Sequence, residues 1–352
     1  MRERLLQWLA CPSCNRHLSL ESCHVNGKEV IEGALHCQCG EIFPIIAGVP
    51  RLLSGQSRLE LLQRYPDFFQ RQTNLSANHP TLEVVGEKKH TLHRFGYEWT
   101  YFSEYDCDNF KRFIAPLPDN FFRGKLGLDA GCGAGRHAKQ AVELGAEIVG
   151  VDLSWAVDAA YQNNSDNKFV HIVQGDIYNL PFKPAIFDLV YSLGVLHHLP
   201  EPERGFQSIL PFLTGGGSIF VWLYAHTLRK VVLELLRFFA RPLSNANIRR
   251  MAYICNLIDY GIFINLYRFG RQLPGLSGTA EHYAPLRIKE YAAHGFRVAY
   301  TDWFDRLSAP ITNYYKESEM RNWLNRSGLT NTALLLEGDS WWWLYGEKKV
   351  EP

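Results

Sequence analysis

Neither sign of charge prevails in this chain: 37 lysines and arginines stand against 36 aspartates and glutamates in 352 residues. An overall basic field that would draw the whole molecule onto nucleic acid is thereby excluded, and a polyanion would need a local patch. The start, "MRERLLQWLACPSC", has only a short apolar run and no small-residue cleavage site before the first cysteines. No signal peptide is read there, and a cytoplasmic setting is the expectation. No long uninterrupted apolar run occurs either: Asn256, Asp259, Gly261 and Asn265 break the most apolar region, so no spanning helix is expected. No G-x-x-x-x-G-K-[ST] phosphate loop is present. What is there is a chain with 46% apolar residues, enough for one main domain plus an appendage.

Five of the eight cysteines (Cys11, Cys14, Cys23, Cys37 and Cys39) fall in the first forty residues, whereas Cys107, Cys132 and Cys255 are scattered. In a reducing compartment such clustering favours metal over disulfides. "CPSC" (11–14) and "LHCQCG" (35–40) have the spacing of two knuckles closing a tetrahedral zinc site, with Cys11, Cys14, Cys37 and Cys39 as ligands. The second pair is a tight C-x-C, so Cys23, His24 and His36 stand as substitutes for one ligand, and a lapsed ribbon without metal is the alternative. A segment this small has little core, and bound metal would supply much of its folding energy. Residues 55–95 are polar and broken by prolines, and read as a linker with one short helix.

From 125 onward strand-like and helix-like segments alternate: "KLGLDA", "GRHAKQAVELG", "EIVGVD", "SWAVDAAYQNN", "FVHIVQGD", "IFDLVYS", "EPERGFQSILPFL" and "GSIFVWLY". That order predicts a parallel sheet with helices on both faces and a ligand beyond the carboxyl ends of the strands. In "LGLDAGCGAGRH" (126–137), Gly131, Gly133 and Gly135 read G-x-G-x-G, with Arg136 where a dinucleotide fingerprint needs its third glycine. Asp129 lies two residues before the first glycine. A carboxylate there repels a pyrophosphate but suits the ammonium and sulfonium of S-adenosylmethionine.

Further features fall in step. Asp152, followed by Leu153, ends the second strand in "GVDLS", the position for a carboxylate accepting both ribose hydroxyls. Asp176 follows the third strand in "GDIYNLPF", where it can accept from the adenine amino group while the Ile177 N–H faces a ring nitrogen. "FDLVYSLGVLHHL" (187–199) ends a buried strand at the mouth of the site, and "LPFLTGGGSIF" (210–220) reads as helix, glycine turn and fifth strand.

On these motifs the stretch 125–225 resembles class I S-adenosylmethionine-dependent methyltransferases of the type 11 group, which includes the quinone C-methyltransferases. The resemblance implies an α/β fold with a seven-stranded, mostly parallel, Rossmann-like sheet. It also implies that Asp129, Gly131 and Gly133 line the methionine end, Asp152 binds ribose, Asp176 and Ile177 meet adenine, and Ser192 with Leu193 borders the methyl group. "FGYEWTYF" (95–102) looks like the segment that closes over the cofactor in such proteins, with Tyr97 and Trp99 as lid candidates or plain core. "LLQWLACPSC" with "GEIFPIIAGVPRLL" resembles, over residues 1–54, the small zinc-ribbon proteins that activate methyltransferases. That likeness implies a structural module with closed coordination.

The expected organisation is a zinc ribbon over 1–54, a linker over 55–95 and a cofactor-binding core over 96–225. An insertion after strand five (226–313) follows, and the last helix and closing hairpin occupy 314–352. Trp341, Trp342 and Trp343 read as strand residues packed on both faces of the sheet. The first half of the insertion, 226–273, holds eight basic residues and two acids. It reads either as lid helices with solvated arginine edges or as a helical surface that touches anionic lipid or grips an anionic, lipid-linked acceptor. His282, Tyr283, Asp302, Asp305 and Tyr314 are candidates to face the acceptor.

Methyl transfer from a sulfonium is an in-line displacement, so alignment and exclusion of water supply most of the catalysis. His197 and His198 are the candidate general bases where an acceptor must lose a proton, although "LHH" is common among such proteins whatever their substrate. Cys132 sits inside the cofactor turn and is not read as a nucleophile, and no N-P-P-Y run, the sign of adenine or glutamine nitrogen methylation, occurs. The expected activity is methylation of a small-molecule or lipid-linked metabolite, with no obligate protein partner. Methylation of ribosomal RNA bases, disfavoured by the neutral charge, and a non-catalytic binding protein of the same fold are the alternatives.

Overall fold

The computed structural model describes residues 1–71, 97, 101–102, 109–227, 230–338 and 340–350. Strands β1 (Leu18–Asn26), β2 (Glu29–Cys37), β3 (Ile42–Ile46) and β4 (Val49–Pro50) form an antiparallel sheet in that order. A second sheet holds β5 (Leu126–Ala130), β6 (Glu147–Asp152), β7 (Val170–Gln174), β8 (Phe187–Leu193), β9 (Leu213–Tyr224), β10 (Thr330–Glu337) and β11 (Trp341–Glu347). Its order is β10-β11-β9-β8-β5-β6-β7, parallel from β9 to β7 and antiparallel at β11 and β10. This contains the parallel sheet that the alternation predicts, completed to the seven strands that the resemblance implies. The chain runs outward from β5 through β6 to β7 and then returns to lay β8 on the other side of β5. The carboxyl ends part at that reversal and leave a crevice.

The central strands are largely apolar because helices cover both faces, and β7, at the sheet's edge, is still buried at all five positions. Trp342 and Trp343 pack into the cores on opposite faces, as read from the sequence. The glycines of "LTGGGSIF" do not form a turn before the fifth strand. They lie within β9, where Gly216 takes φ +80° and the register against β8 shifts between Phe187 and Leu189. The extra residues are absorbed as a bulge that only glycine-rich backbone accommodates.

The N-terminal module is built onto the edge of this sheet. Leu52 N–H donates to the Gln174 carbonyl (2.9 Å), and Arg51 pairs with Gln174 in a parallel bridge on the β7 edge. The Arg51 side chain, fully buried, donates to Gln174 Oε1 (3.1 Å), the Ile46 carbonyl (3.2 Å) and Asp158 Oδ1 (2.5 Å). Leu5, Leu9, Phe43 and Ile45 share one apolar cluster with Leu128 and Val151 of the large sheet. A module too small for its own core thus completes one against its neighbour and covers an open strand edge.

Residues 55–71 are more than a linker with one short helix. Two helices, Gly55–Arg64 and Pro66–Arg71, place Leu61, Phe68 and Phe69 against Ala34, Ile46 and Leu53. The rest of the 55–95 segment, and Trp99, lie outside the described residues.

After β9 the insertion folds as helices, beginning with Lys230–Ala240. A long helix follows, Asn245–Ile258, running through a π-helical stretch (Asp259–Ile264) into Asn265–Gln272. Ser277–Tyr283, Leu286–His294 and Phe296–Ser308 complete it. Ile248, Ala252, Ile264, Tyr291 and Phe304 form its own core, which Tyr97 joins by packing on Phe304. The helix Glu317–Arg326 and the β10–β11 hairpin then return the chain to the sheet.

Candidate functional site

A cavity of about 710 Å³ lies at the carboxyl ends of β5, β6, β8 and β9, and the insertion helices close its far side. Its volume falls in the range of small-molecule sites. The glycine turn forms one wall. Gly131 and Cys132 donate N–H bonds to the Val151 carbonyl (2.8 and 3.0 Å), which ties the turn to β6. Gly131 has φ +91°, and a Cβ there would sit 2.5 Å from the Val195 side chain, so backbone conformation and space both require glycine.

Asp152 stands beside this turn. Its Oδ2 accepts the Gly133 N–H (3.0 Å) and its Oδ1 the Ser154 N–H (2.8 Å). Each oxygen keeps a further lone pair, so the carboxylate is oriented without being saturated. Asp176 Oδ1 accepts the Tyr178 N–H (3.1 Å), and Ile177 and Tyr178 continue the same wall.

Gly131, Gly133, Asp152, Leu153, Asp176 and Ile177 therefore converge on the cavity, together with Leu193. Asp129 and Ser192 do not line it. Ser192 is buried below, where its hydroxyl donates to the Ala130 carbonyl (2.8 Å). Asp129 is buried beneath the turn beside Tyr191, its register partner on β8. Burial pushes its carboxyl up to about 8, against the opposing influence of the Tyr191 hydroxyl.

The histidine pair divides. His198 lines the cavity and contacts the Ile311 carbonyl through Nδ1 (2.7 Å). A carbonyl only accepts, so Nδ1 carries the proton and Nε2 is the basic nitrogen. Burial lowers the His198 pKa to about 4. His197 lies in the wall behind, fully buried, packed between His198 and Tyr224 with ring centroids 4.1 Å from each and the planes tilted. Burial holds its pKa well below the usual value, and neither ring nitrogen has a hydrogen-bond partner.

On the insertion side Asp302, Asp305 and Tyr314 reach the cavity, whereas His282 and Tyr283 do not, Tyr283 being exposed. Asp305 is raised to about 6 by burial with Asp302 nearby, and the Tyr224 hydroxyl donates to it at 3.5 Å. Arg237, which sequence reasoning missed, donates to Tyr314 Oη (2.9 Å) and Glu234 Oε1 (2.9 Å). Arg287 grips Asp259 with two bonds (2.7 and 3.0 Å), to which Trp303 Nε1 adds a third (3.0 Å). The acid that interrupts the apolar run at 259 was the available signal for that cluster. Trp341 also belongs to the cavity wall, beside Trp222 at 5.2 Å and under Arg112 at 4.5 Å.

The sulfurs of Cys11, Cys14, Cys37 and Cys39 lie within 4.8 Å of one another, with Cys11–Cys39 at 3.7 Å and Cys14–Cys37 at 3.4 Å. A tetrahedral zinc with Zn–S bonds of about 2.3 Å requires S–S edges of about 3.8 Å. The cluster is compatible with zinc. The three substitutes lie outside it: His36 contacts Glu21 (2.7 Å), and Cys23 and His24 are exposed on β1.

Comparison with known proteins finds a match between residues 128–221 and the family model described as a methyltransferase domain. This stretch is a methyltransferase domain. An uncharacterised protein of Synechococcus sp. is 32% identical over 114 residues, 31% of this chain and 27% of that protein. The ubiquinone biosynthesis O-methyltransferase of Coxiella burnetii is 29% identical over 100 residues, 28% of this chain and 43% of that protein. The chain thus spans less than half the length of these curated relatives. The structure of magnesium protoporphyrin IX methyltransferase from Synechocystis PCC 6803 with bound S-adenosylhomocysteine covers 83% of this chain and 100% of its own. It does so at 16% identity and a TM-score of 0.39, too low for that likeness to carry weight. No described helix is long and apolar enough to cross a membrane.

Proposed function

We propose that the chain is an S-adenosylmethionine-dependent methyltransferase acting on a small-molecule or lipid-linked metabolite. The observation that carries this reading is Asp152, fixed by two backbone N–H groups at the edge of the cavity within the methyltransferase domain. S-adenosylmethionine supplies a methyl group on a sulfonium, which is electrophilic without further activation.

The residues present fit it. The remaining lone pairs of Asp152 accept from the ribose diol, and Asp176 with the Ile177 N–H meets the adenine edge. Gly131 and Gly133 put no side chain between backbone and ligand, and Asp129, kept largely protonated by burial beneath the turn, would be drawn toward its charged form by the ligand's positive charge. The insertion excludes water, which keeps the displacement aligned and unhydrolysed. His198, neutral down to about pH 4, accepts a hydrogen bond through Nε2 and orients an acceptor hydroxyl, and is a weak base rather than a strong one. Four thiolates around zinc close its coordination, so the metal's role is structural.

The test is calorimetric titration of the metal-replete protein with S-adenosylmethionine and, separately, NADH, with Asp152→Ala as control. Binding of the first alone, lost in the variant, supports the reading. Transfer of labelled methyl to metabolite or lipid fractions then completes it, and label in RNA would instead support base methylation. Binding without transfer to any fraction favours a non-catalytic protein, and absence of binding rejects the cofactor.

A further inference from the structure

The long helix from Asn245 to Gln272 has two apolar faces. Ile248, Ala252, Ile264 and Tyr267 turn inward and are buried. The inward spacing opens across the π-helical stretch, whose wider turn restores the register of both faces. The opposite stripe, Ile254, Ile258, Ile262, Leu266 and Phe269, is exposed, Leu266 at 67%. The neighbouring helix Lys230–Ala240 adds Val232, Leu235, Phe238 and Phe239, likewise exposed, with Phe238 at 65%. Soluble surfaces rarely leave so many large apolar side chains together without a partner.

Two features identify the partner. The first is charge: between 230 and 273 seven basic residues stand against Glu234 and Asp259. Asp259 is buried in its bonds to Arg287, and buried Arg237 is bonded to Glu234, while Arg250, Arg241 (4.0 Å from Glu234) and Arg271 (3.5 Å from Glu281) keep exposed side chains. Two copies packed face to face would bring like charges together, whereas anionic headgroups complement them. The second is continuity: Val232, Ile258 and Phe263 belong both to the exposed face and to the cavity wall. The cavity therefore opens within the apolar face.

We propose that this face docks on an anionic lipid surface, with the cavity mouth opening into the bilayer interface to receive an amphiphilic acceptor. The helices lie in the interface plane, consistent with the absence of a spanning helix among the described residues. The identity of the acceptor rests on the methyl-transfer reading, whereas the docking itself does not.

Flotation of the full-length, metal-replete chain with vesicles tests it. One set is phosphatidylcholine alone and the other equal parts phosphatidylcholine and phosphatidylglycerol. The expected result is binding to the anionic set and at least roughly tenfold weaker binding to the neutral one. The triple variant Ile254→Ser, Leu266→Ser, Phe269→Ser, none of whose positions lines the cavity, should lose flotation while keeping its circular dichroism and its S-adenosylmethionine affinity. Arg241→Gln with Arg250→Gln should weaken binding to the anionic set only. No flotation with either set, or equal flotation of the triple variant, overturns the proposal. A dimer in light scattering that the triple variant dissolves overturns it in favour of a second copy. A parent chain that floats without binding S-adenosylmethionine contradicts the methyltransferase reading and leaves the docking standing.

Discussion

Asn179 donates from Nδ2 to the carbonyl of Pro12 at 2.9 Å, joining the loop that carries Asp176 to the first cysteine knuckle across 167 positions of sequence. The same loop closes on itself through Asn179 N–H to the Asp176 carbonyl (2.9 Å). The knuckle and the Asp176 side of the cavity are thus parts of one packed unit.

Metal removal is therefore expected to act on the whole molecule. The ribbon shares its apolar cluster with the large sheet, so unfolding should remain a single transition rather than split in two. Zinc that binds only the folded state adds its binding free energy to stability. A chelator, or Cys37→Ser, should lower the melting temperature by roughly 5 °C or more, assuming a loss of a few kcal/mol. Calorimetry with parallel metal analysis decides it, and a zinc-loaded protein whose transition ignores the chelator would contradict the expectation.

Substitution of Asp152 separates binding from folding. Alanine removes a charged acceptor worth about 1.5–3 kcal/mol for each hydrogen bond it makes to the ligand. The affinity for S-adenosylmethionine should fall by between one and several powers of ten. Asparagine keeps one acceptor oxygen and should fall between. Alanine also releases the Gly133 and Ser154 N–H groups, and asparagine one of them, so circular dichroism must accompany the titration. Unchanged affinity in a folded alanine variant would remove Asp152 from the site.

How much of this could be read from the chain follows from how local each signal is. The β5–β9 segments were legible because apolar strands alternate with helices, and the motifs of Gly131, Asp152, Asp176 and Leu193 lie at strands' carboxyl ends, whereas the glycines that read as a turn lie within β9. Arg51 and Asn179 were not, since their meaning lies in contacts with Gln174 and Pro12, far away in sequence. Trp341 reads as a strand residue and is one. It reaches the cavity because antiparallel pairing sets it opposite Tyr224, at the end of β9. The insertion was least legible because two of its helices are apolar on both faces, and periodicity alone does not say which face is inside.

Gly131→Ala tests the turn itself. The substitution imposes a side chain at φ +91° and sets its Cβ 2.5 Å from Val195. Left-handed backbone costs a non-glycine residue on the order of 1–2 kcal/mol before any clash is relieved. The variant should melt lower and bind S-adenosylmethionine at least roughly tenfold more weakly, the turn having moved off Asp152. Native affinity in the alanine variant would show that the turn does not touch the ligand.

The buried titratable groups set the pH dependence of stability. His137, His171, His197 and His198 are all lowered, chiefly by burial, His198 to about 4. Below the ordinary histidine value near 6.5, the unfolded chain holds more protons on these rings than the folded chain, for His198 down to about pH 4. Stability therefore rises with pH across this window and is lost as pH falls through it. Asp129 and Asp305, raised to about 8 and about 6, act in the opposite sense, because the folded state keeps their protons longer. The four histidines outnumber the two acids, and the buried amino terminus of Met1, lowered to about 5, adds to them from that pH upward, so stability rises with pH on balance. Above pH 6.5 Asp129 is opposed by the buried amino terminus of Met1, lowered from 8.0 to about 5, and the curve should level. Urea unfolding at a series of pH values reads the slope directly. His197→Phe removes one titrating group whose nitrogens have no partner. The variant should be more stable than the parent in acid, with a slope shallower by one proton. An unchanged slope would mean that His197 binds its proton equally in the folded and unfolded chain, against its burial.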